Sequence, residues 1–146
     1  IRNEISIPPN IPLSTPFNIP TVPTTYNTEE TYEQNNTRTN LVKKITLEYI
    51  KLVIKEPAGQ DFSFLNDLEL SLAKDGLPDK LVAWKYNIEN SVGQELTLET
   101  TSDALDAYLK NGDVKLKVKV TTDKLTTSEV VINSDIRVRV TADVFK

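Results

Sequence analysis

The longest patterned run in the chain is Leu41-Val-Lys-Lys-Ile-Thr-Leu-Glu-Tyr-Ile-Lys-Leu-Val-Ile-Lys55. Side chains in a β-strand alternate between the two faces of the sheet, and the apolar residues of this run alternate in two sets of opposite phase. The first set is Ile45, Leu47 and Tyr49, and the second set is Ile50, Leu52 and Ile54. One extra residue at Tyr49–Ile50 would turn both sets toward the same core, so the run predicts a central strand with a β-bulge at that point.

The rest of the chain repeats this alternation in shorter runs. These runs lie at residues 68–72, 82–88, 95–99, 114–120, 130–132 and 136–144. One segment differs, because Thr101 or Ser102 can cap a helix that Gly112 would stop. Short strands with turn signals between them, and no regular alternation with helices, favour an all-β fold. We therefore expect an antiparallel two-sheet immunoglobulin-like sandwich of about 7–9 strands, with one short helix near residues 102–110.

The chain begins with a proline-rich segment, residues 1–25. Four prolines recur at every fourth position, namely Pro8, Pro12, Pro16 and Pro20. In an extended chain, prolines at this spacing remove N–H donors from one edge only, which predicts an edge strand packed on the sandwich. The side chains expected to face the core are Ile11, Leu13, Phe17 and Ile19. The alternative is a solvated polyproline-type arm.

The remaining sequence divides into two parts. Residues 26–40 are polar and predict a surface connection, and residues 41–146 form the body of the sandwich in a single domain.

Composition limits the chemistry that the 146 residues can perform. Histidine and cysteine are absent, which excludes a Ser-His-Asp triad, a cysteine nucleophile and the usual zinc, copper and haem ligand sets. We therefore expect no cofactor. The net charge of −4 disfavours a nucleic-acid binder, and no apolar run is long enough to span a bilayer.

Five basic residues alternate with apolar ones on two predicted strands, at Lys115, Lys117, Lys119, Arg137 and Arg139. If these two strands are neighbours, the five cations share one outer face. Such a face could hold an acidic glycan, phospholipid headgroups or an acidic protein partner. The alternative interpretation is a solvated sheet face whose charges are balanced by acidic side chains.

Trp84 and Tyr86 are candidates for an aromatic platform that binds sugars. Their period-two spacing with Val82 and Ile88 favours a place in the core instead, since one face of a half-buried strand is apolar.

Carboxylates are the remaining candidates for catalysis or metal binding. Paired carboxylates act as acid and base in glycosidases, and four aspartates lie in or near predicted loops: Asp61, Asp67, Asp75 and Asp79. These residue types also fit caps and turns, and Asp61 can cap a short helical turn that places Phe62 or Phe64 at one end of the sandwich. Asp75 and Asp79 share a tight loop and are weak candidates for calcium ligands, with turn formation as the alternative.

Between the proline-rich start and a tail of alternating lysine and valine lies the run Phe62-Ser-Phe-Leu-Asn-Asp-Leu-Glu-Leu-Ser-Leu-Ala-Lys-Asp-Gly-Leu-Pro78. With these flanks, residues 40–145 resemble small exported or lipid-anchored β-sandwich proteins of Bacteroides-type bacteria. The resemblance implies a sandwich fold and an extracytoplasmic location, in the periplasm, at the outer membrane or secreted. A chain that begins with Ile1 fits a removed leader or a lipid anchor upstream of residue 1, and it also fits a fragment.

Three functional hypotheses follow from the sequence. The first is a non-enzymatic accessory or binding domain of a bacterial cell-envelope or secreted protein. The second is a carbohydrate-binding module, and the third is a small carboxylate-dependent hydrolase.

Overall fold

The computed structural model describes residues 2–20, 42–109 and 114–142. Within these ranges, nine β-strands form two antiparallel sheets around one hydrophobic core. The strands are β1 (Arg2–Ile7), β2 (Phe17–Ile19), β3 (Val42–Glu56), β4 (Leu65–Ala73), β5 (Lys80–Lys85), β6 (Glu95–Thr97), β7 (Glu99–Thr100), β8 (Lys115–Thr122) and β9 (Val130–Ala142). The four-stranded sheet has the order β1-β9-β3-β6, and the five-stranded sheet has the order β2-β8-β4-β5-β7. The predicted antiparallel two-sheet sandwich is confirmed.

β3 contains the predicted bulge, one residue earlier than expected. Leu47 is opposite Val138 on β9, and Tyr49 is opposite Arg137, so Glu48 is the extra residue. The change of phase therefore occurs before Tyr49, whose side chain faces outward beside Arg137. This corrects the prediction that Tyr49 shares the core face with Leu47.

The proline-rich start forms two edge strands rather than one. β1 pairs with β9 in the four-stranded sheet, and β2 pairs with β8 in the five-stranded sheet. The chain crosses from one sheet to the other over residues 8–16, where Asn10 and Ser14 have positive φ angles of 60° and 58°. Three of the four regularly spaced prolines lie in this crossing, because residues without an N–H suit a segment that pairs with neither sheet. Leu13 also lies there and is 43% exposed, which corrects its predicted inward position.

Hydrogen bonds hold this crossing against the loop that follows β8. The backbone N–H of Asn10 donates to the carbonyl of Thr126 (3.2 Å), and the N–H of Ser14 donates to the carbonyl of Thr122 (2.9 Å). The alternative of a solvated arm is therefore wrong for residues 2–20. Residues 21–25 and the predicted polar connection at residues 26–40 lie outside the described residues.

The opposite flank of the sandwich is closed in the same way. β6 belongs to the four-stranded sheet and β7 to the five-stranded sheet, and only Leu98 separates them. Leu98 is buried, and its N–H donates to the carbonyl of Ile50 (3.0 Å). Each flank is thus covered by a segment that passes from one sheet to the other.

Only one turn of the helix predicted near residues 102–110 is formed in the described residues, at α1 (Asp106–Leu109). The N–H of Thr101 donates to a carbonyl of β5 (2.9 Å), and the N–H of Leu105 donates to a carbonyl of β3 (2.7 Å). These tertiary hydrogen bonds hold the preceding residues in non-helical backbone, because they override a weak local helix propensity.

The short helical turn predicted after Asp61 is a 3-10 turn at Phe62–Phe64. The Asp61 carboxylate accepts hydrogen bonds from the backbone N–H of Ser63 (3.0 Å) and from the Ser63 hydroxyl (2.5 Å). Both phenylalanines are buried, so this turn fills one part of the core as expected. Among the described residues, no helix is long and apolar enough to cross a membrane.

Candidate functional site

A single row of side chains crosses the outer face of the five-stranded sheet. The paired residues along this row are Asn18 on β2, Lys119 on β8, Glu69 on β4, Trp84 on β5 and Glu99 on β7. Their neighbours along the strands, such as those on either side of Glu69 and Lys119, are buried, so the row itself faces away from the core. Five strands at their ordinary spacing give the row a length of about 19 Å.

A second row beside the first one produces a depression in this face. Ser71 on β4 is opposite Lys117 on β8 and opposite Leu81 on β5. The short side chain of Ser71 therefore lies between the longer side chains of Lys117 and Leu81, which leaves a depression along β4. The resulting cavity has a volume of about 570 Å³. We call it the outer groove, and its lining residues are Asn18, Ile19, Glu69, Ser71, Asp79, Leu81, Lys117, Val118 and Lys119.

Trp84 faces this surface, which corrects its predicted place in the core. Leu70 on β4 is opposite Ala83, whereas the next residue, Ser71, is opposite Leu81, so Val82 is an extra residue in β5. Val82 and Ala83 are both buried, and the alternation that follows turns Trp84 outward in a half-buried position. The signal that was missed is the unbroken apolar run at residues 81–83, which is typical of a bulge as well as of a strand covered on both faces.

Tyr86 follows the end of β5 and is 43% exposed, so it also lies outside the core. Its hydroxyl donates a hydrogen bond to Glu69 Oε2 (2.9 Å). Partial burial, followed by the hydrogen bond to Glu69, raises the pKa of the Tyr86 phenol above its ordinary value. The structure thus brings the two aromatic candidates to the same outer face, beside the outer groove.

The five predicted basic residues do not form one surface. Lys115, Lys117 and Lys119 are on β8 in the five-stranded sheet, whereas Arg137 and Arg139 are on β9 in the four-stranded sheet. The outer faces of the two sheets point in opposite directions, so the predicted five-cation face is wrong. The lysines and the arginines are separate because β8 and β9, although consecutive in the sequence, pair in different sheets.

The two arginines have their own neighbours on the four-stranded sheet. The guanidinium of Arg137 lies over the ring of Tyr49, 5.1 Å from the ring centroid. Arg139 is 3.8 Å from Glu48 Oε1, the acidic side chain of the β3 bulge. These contacts fit the predicted solvated sheet face with balanced charges.

The aspartates singled out from the sequence have structural contacts. Asp61 caps the 3-10 turn, and Asp67 Oδ1 accepts a hydrogen bond from the backbone N–H of Asn87 (2.9 Å). Asp79 Oδ2 is 2.7 Å from Lys117 Nζ, whereas Asp75 is exposed at the turn before β5. Within residues 2–20, 42–109 and 114–142, no group of three acidic side chains is arranged to hold a metal ion.

Two carboxylates nevertheless line the outer groove, those of Glu69 and Asp79. Each is engaged by a donor, Glu69 by the Tyr86 hydroxyl and Asp79 by the Lys117 ammonium. The groove therefore combines carboxylates, lysines, a hydroxyl and an amide with an aromatic ring at its border.

Comparisons with protein-family models, with curated protein sequences and with solved structures found no match to this chain.

Proposed function

We propose that the chain is a non-enzymatic binding domain of an exported or cell-envelope protein, and that it binds carbohydrate in the outer groove. The observation that carries this proposal is the outward position of Trp84 in a row with Glu69 and Lys119. A packing role would place the indole in the core, whereas here it lies on the outer face, opposite Glu69 of the groove lining.

The chemistry of the groove suits a sugar. The face of an indole ring carries partial negative charge, so it attracts the C–H groups on the apolar face of a pyranose ring. The hydroxyl groups of the same sugar need donors and acceptors, and Asn18, Glu69, Ser71 and Lys119 supply both. A volume of about 570 Å³ is within the ordinary range for small-ligand sites.

Two groove side chains are held in place before any ligand arrives. The Tyr86 hydroxyl fixes Glu69, and Asp79 fixes Lys117. Side chains that are already ordered lose less conformational entropy on binding, so these two contacts favour affinity.

The test uses the only tryptophan of the chain as the probe. Titration with a panel of neutral and acidic oligosaccharides is expected to change the fluorescence of Trp84, with affinities confirmed by calorimetry. Trp84→Ala is expected to weaken binding about tenfold, the loss of one aromatic contact. Tyr49→Ala is the matched control, because Tyr49 is an outward-facing aromatic residue on the opposite sheet. If no saccharide binds, or if the two variants behave alike, the proposal is wrong.

A small carboxylate-dependent hydrolase is the second candidate, because Glu69 and Asp79 line the same groove. Glycosidase chemistry of this kind uses a pair of carboxyl groups, and here each of the two already accepts a hydrogen bond from a neighbouring side chain. Incubation of each bound oligosaccharide with the wild-type protein separates the two functions. Release of shorter products that Glu69→Gln abolishes, without loss of binding, would favour the hydrolase over the binding domain.

The extracytoplasmic location is supported by the composition and by the resemblance to exported sandwich proteins. Cell fractionation of the native source, with an antibody against the domain, is expected to place the protein in the envelope or the medium. Recovery in the cytoplasm would contradict this part of the proposal.

A further inference from the structure

We infer that the saccharide bound in the outer groove is anionic, with carboxylate or sulfate groups that face the β8 lysines. This inference rests on the proposed function and specifies its ligand. It comes from the unequal chemistry of the two walls of the groove.

One wall is β8, where Lys117 and Lys119 line the groove and Lys115 lies beyond its lining. Lys115, Lys117 and Lys119 alternate with buried residues along β8, so all three side chains are exposed on the outer face. Alternate residues on a strand are about 6.8 Å apart, and the three lysines therefore form a regularly spaced row of positive charge.

The other wall is on β5. Leu81 lines the groove there and is 39% exposed, and Trp84 on the same strand lies beside the lining, opposite Glu69 of β4. A ligand that fits both walls needs negative groups along one edge and an apolar face along the other. A sugar ring with a carboxylate or sulfate substituent has this combination.

The groove lining carries two ammonium groups, those of Lys117 and Lys119, and two carboxylates, those of Glu69 and Asp79. Lys117 is paired with Asp79 at 2.7 Å, whereas Lys115 and Lys119 have no ion pair among the described residues. Glu69 is the residue opposite Lys119, and its carboxylate accepts the hydrogen bond from Tyr86. The ammonium group of Lys119 in the groove, and that of Lys115 two residues along β8 from Lys117, are thus without an ion pair among the described residues and can interact with an anion.

This row of lysines belongs to a chain with a net charge of −4. Repulsion from the rest of the protein weakens the approach of polyanions in general, so an anion is attracted mainly where cations are concentrated. The β8 wall therefore contributes selectivity, because an anionic ligand gains by lying in the groove rather than elsewhere on the surface.

The experiment compares saccharides that differ in charge. The probes are oligogalacturonate for carboxylate, chondroitin sulfate oligosaccharides for sulfate and cello-oligosaccharides as the neutral arm. We expect an anionic arm to bind at least tenfold more tightly than the neutral arm at 50 mM salt. We also expect this preference to shrink at 500 mM salt, because exposed charges are then screened.

Variants locate the preference on β8. Lys119→Gln and Lys115→Gln are each expected to weaken anionic binding about fivefold, and Lys115→Gln, which lies outside the groove lining, is expected to leave neutral binding unchanged. Lys44→Gln is the matched control, since Lys44 is an exposed strand lysine on the four-stranded sheet. Both substitutions are at exposed positions, and glutamine is only one atom shorter than lysine, so the fold is retained.

The outcomes separate the inference from the proposed function. Equal, salt-independent binding of neutral and anionic arms would overturn the inference and leave carbohydrate binding in place. Binding of anionic saccharides that neither lysine variant weakens would overturn the assigned site. Failure of all saccharides, with binding to vesicles of acidic phospholipid instead, would overturn both.

Discussion

Thr122 and Ser134 are polar residues in the core, only 2% and 1% exposed. Their hydroxyl groups have no hydrogen-bond partner among the described residues. Thr122 is opposite Leu65 on β4, and Ser134 is opposite Leu52 on β3 and Asn3 on β1. Burial of a hydroxyl without a partner costs about 1–3 kcal/mol, and these two residues therefore lower the stability of the fold.

We expect Thr122→Val to raise the free energy of unfolding by about 1 kcal/mol, because valine keeps the shape of threonine and removes the unpaired hydroxyl. Urea denaturation measures the change. Thr121→Val is the matched control, since Thr121 is the neighbouring residue on β8 and is only half-buried. A loss of stability in Thr122→Val would show that the hydroxyl has a partner.

The stability of the fold depends on pH through Asp61. Hydrogen bonds from the Ser63 hydroxyl and then from its N–H hold the pKa of Asp61 below its ordinary value. A carboxyl whose pKa is lower in the folded chain adds stability above its unfolded pKa, and this stability is lost as the pH falls through the folded pKa. The contribution is therefore present at pH 7 and disappears below about pH 4.

Asp61→Ala is expected to destabilise the protein by about 1 kcal/mol at pH 7, the ordinary cost of a lost cap. The difference from wild type should narrow as the pH is lowered below about 4, because the wild-type carboxyl then gains a proton. Thermal melts from pH 2 to pH 7 measure this difference. A difference in stability between Asp61→Ala and wild type that stays constant from pH 2 to pH 7 would contradict the lowered pKa of Asp61.

At the level of single strands, irregular pairing decides which side chains reach the outer groove. In β3, the change of phase between Leu47 and Ile50 is visible in the sequence, but either Glu48 or Tyr49 could be the extra residue. In β5, the bulge at Val82 lies within an unbroken apolar run, so alternation alone gave the wrong face for Trp84. The groove could therefore not be predicted, although its lysines and its aromatic residues were identified as candidates.

Deletion of Glu48 tests the bulge in β3. The remaining residues would alternate regularly, with Leu47 inward, Tyr49 outward and Ile50 inward, so we expect the fold to survive with a modest loss of stability. Deletion of Lys51 is the comparison. If β3 accommodates the deletion of Lys51 by losing its bulge, Ile50 turns toward solvent. The free energy of unfolding then falls by about 1.5–3 kcal/mol.

Denaturation of the two deletion variants, with circular dichroism to confirm the strand content, measures the difference. Deletion of Glu48 is expected to be the milder change. Equal destabilisation would mean that the bend produced by the bulge, rather than the phase of the side chains, is what the fold requires.

Across the whole molecule, strand order was the property that the sequence did not reveal. Alternation on β8 and on β9 is equally clear, yet the sheet to which each belongs depends on pairing with distant strands, β4 for one and β3 for the other. Local patterns carry no information about that choice, because the apolar face of either strand could pack against the core from either sheet. The class of fold was predictable, because an antiparallel β-sandwich can be recognised from alternating apolar residues and turn signals alone.

The N-terminal segment is expected to be an integral part of the sandwich. Ile7 is fully buried, so Ile7→Ala should lower the free energy of unfolding by about 2–4 kcal/mol. Leu13→Ala in the same segment is the matched control and should have little effect, because Leu13 is 43% exposed. Guanidinium denaturation checks both values, and equal effects would contradict the described packing of the segment.

Residues 8–16 on one flank and Leu98 on the other join the two sheets through the backbone itself. Relative sliding of the two layers must therefore stretch covalent chain and break backbone hydrogen bonds on both sides at once. A force applied to one sheet would therefore reach the other sheet through the backbone at both flanks as well as through the core.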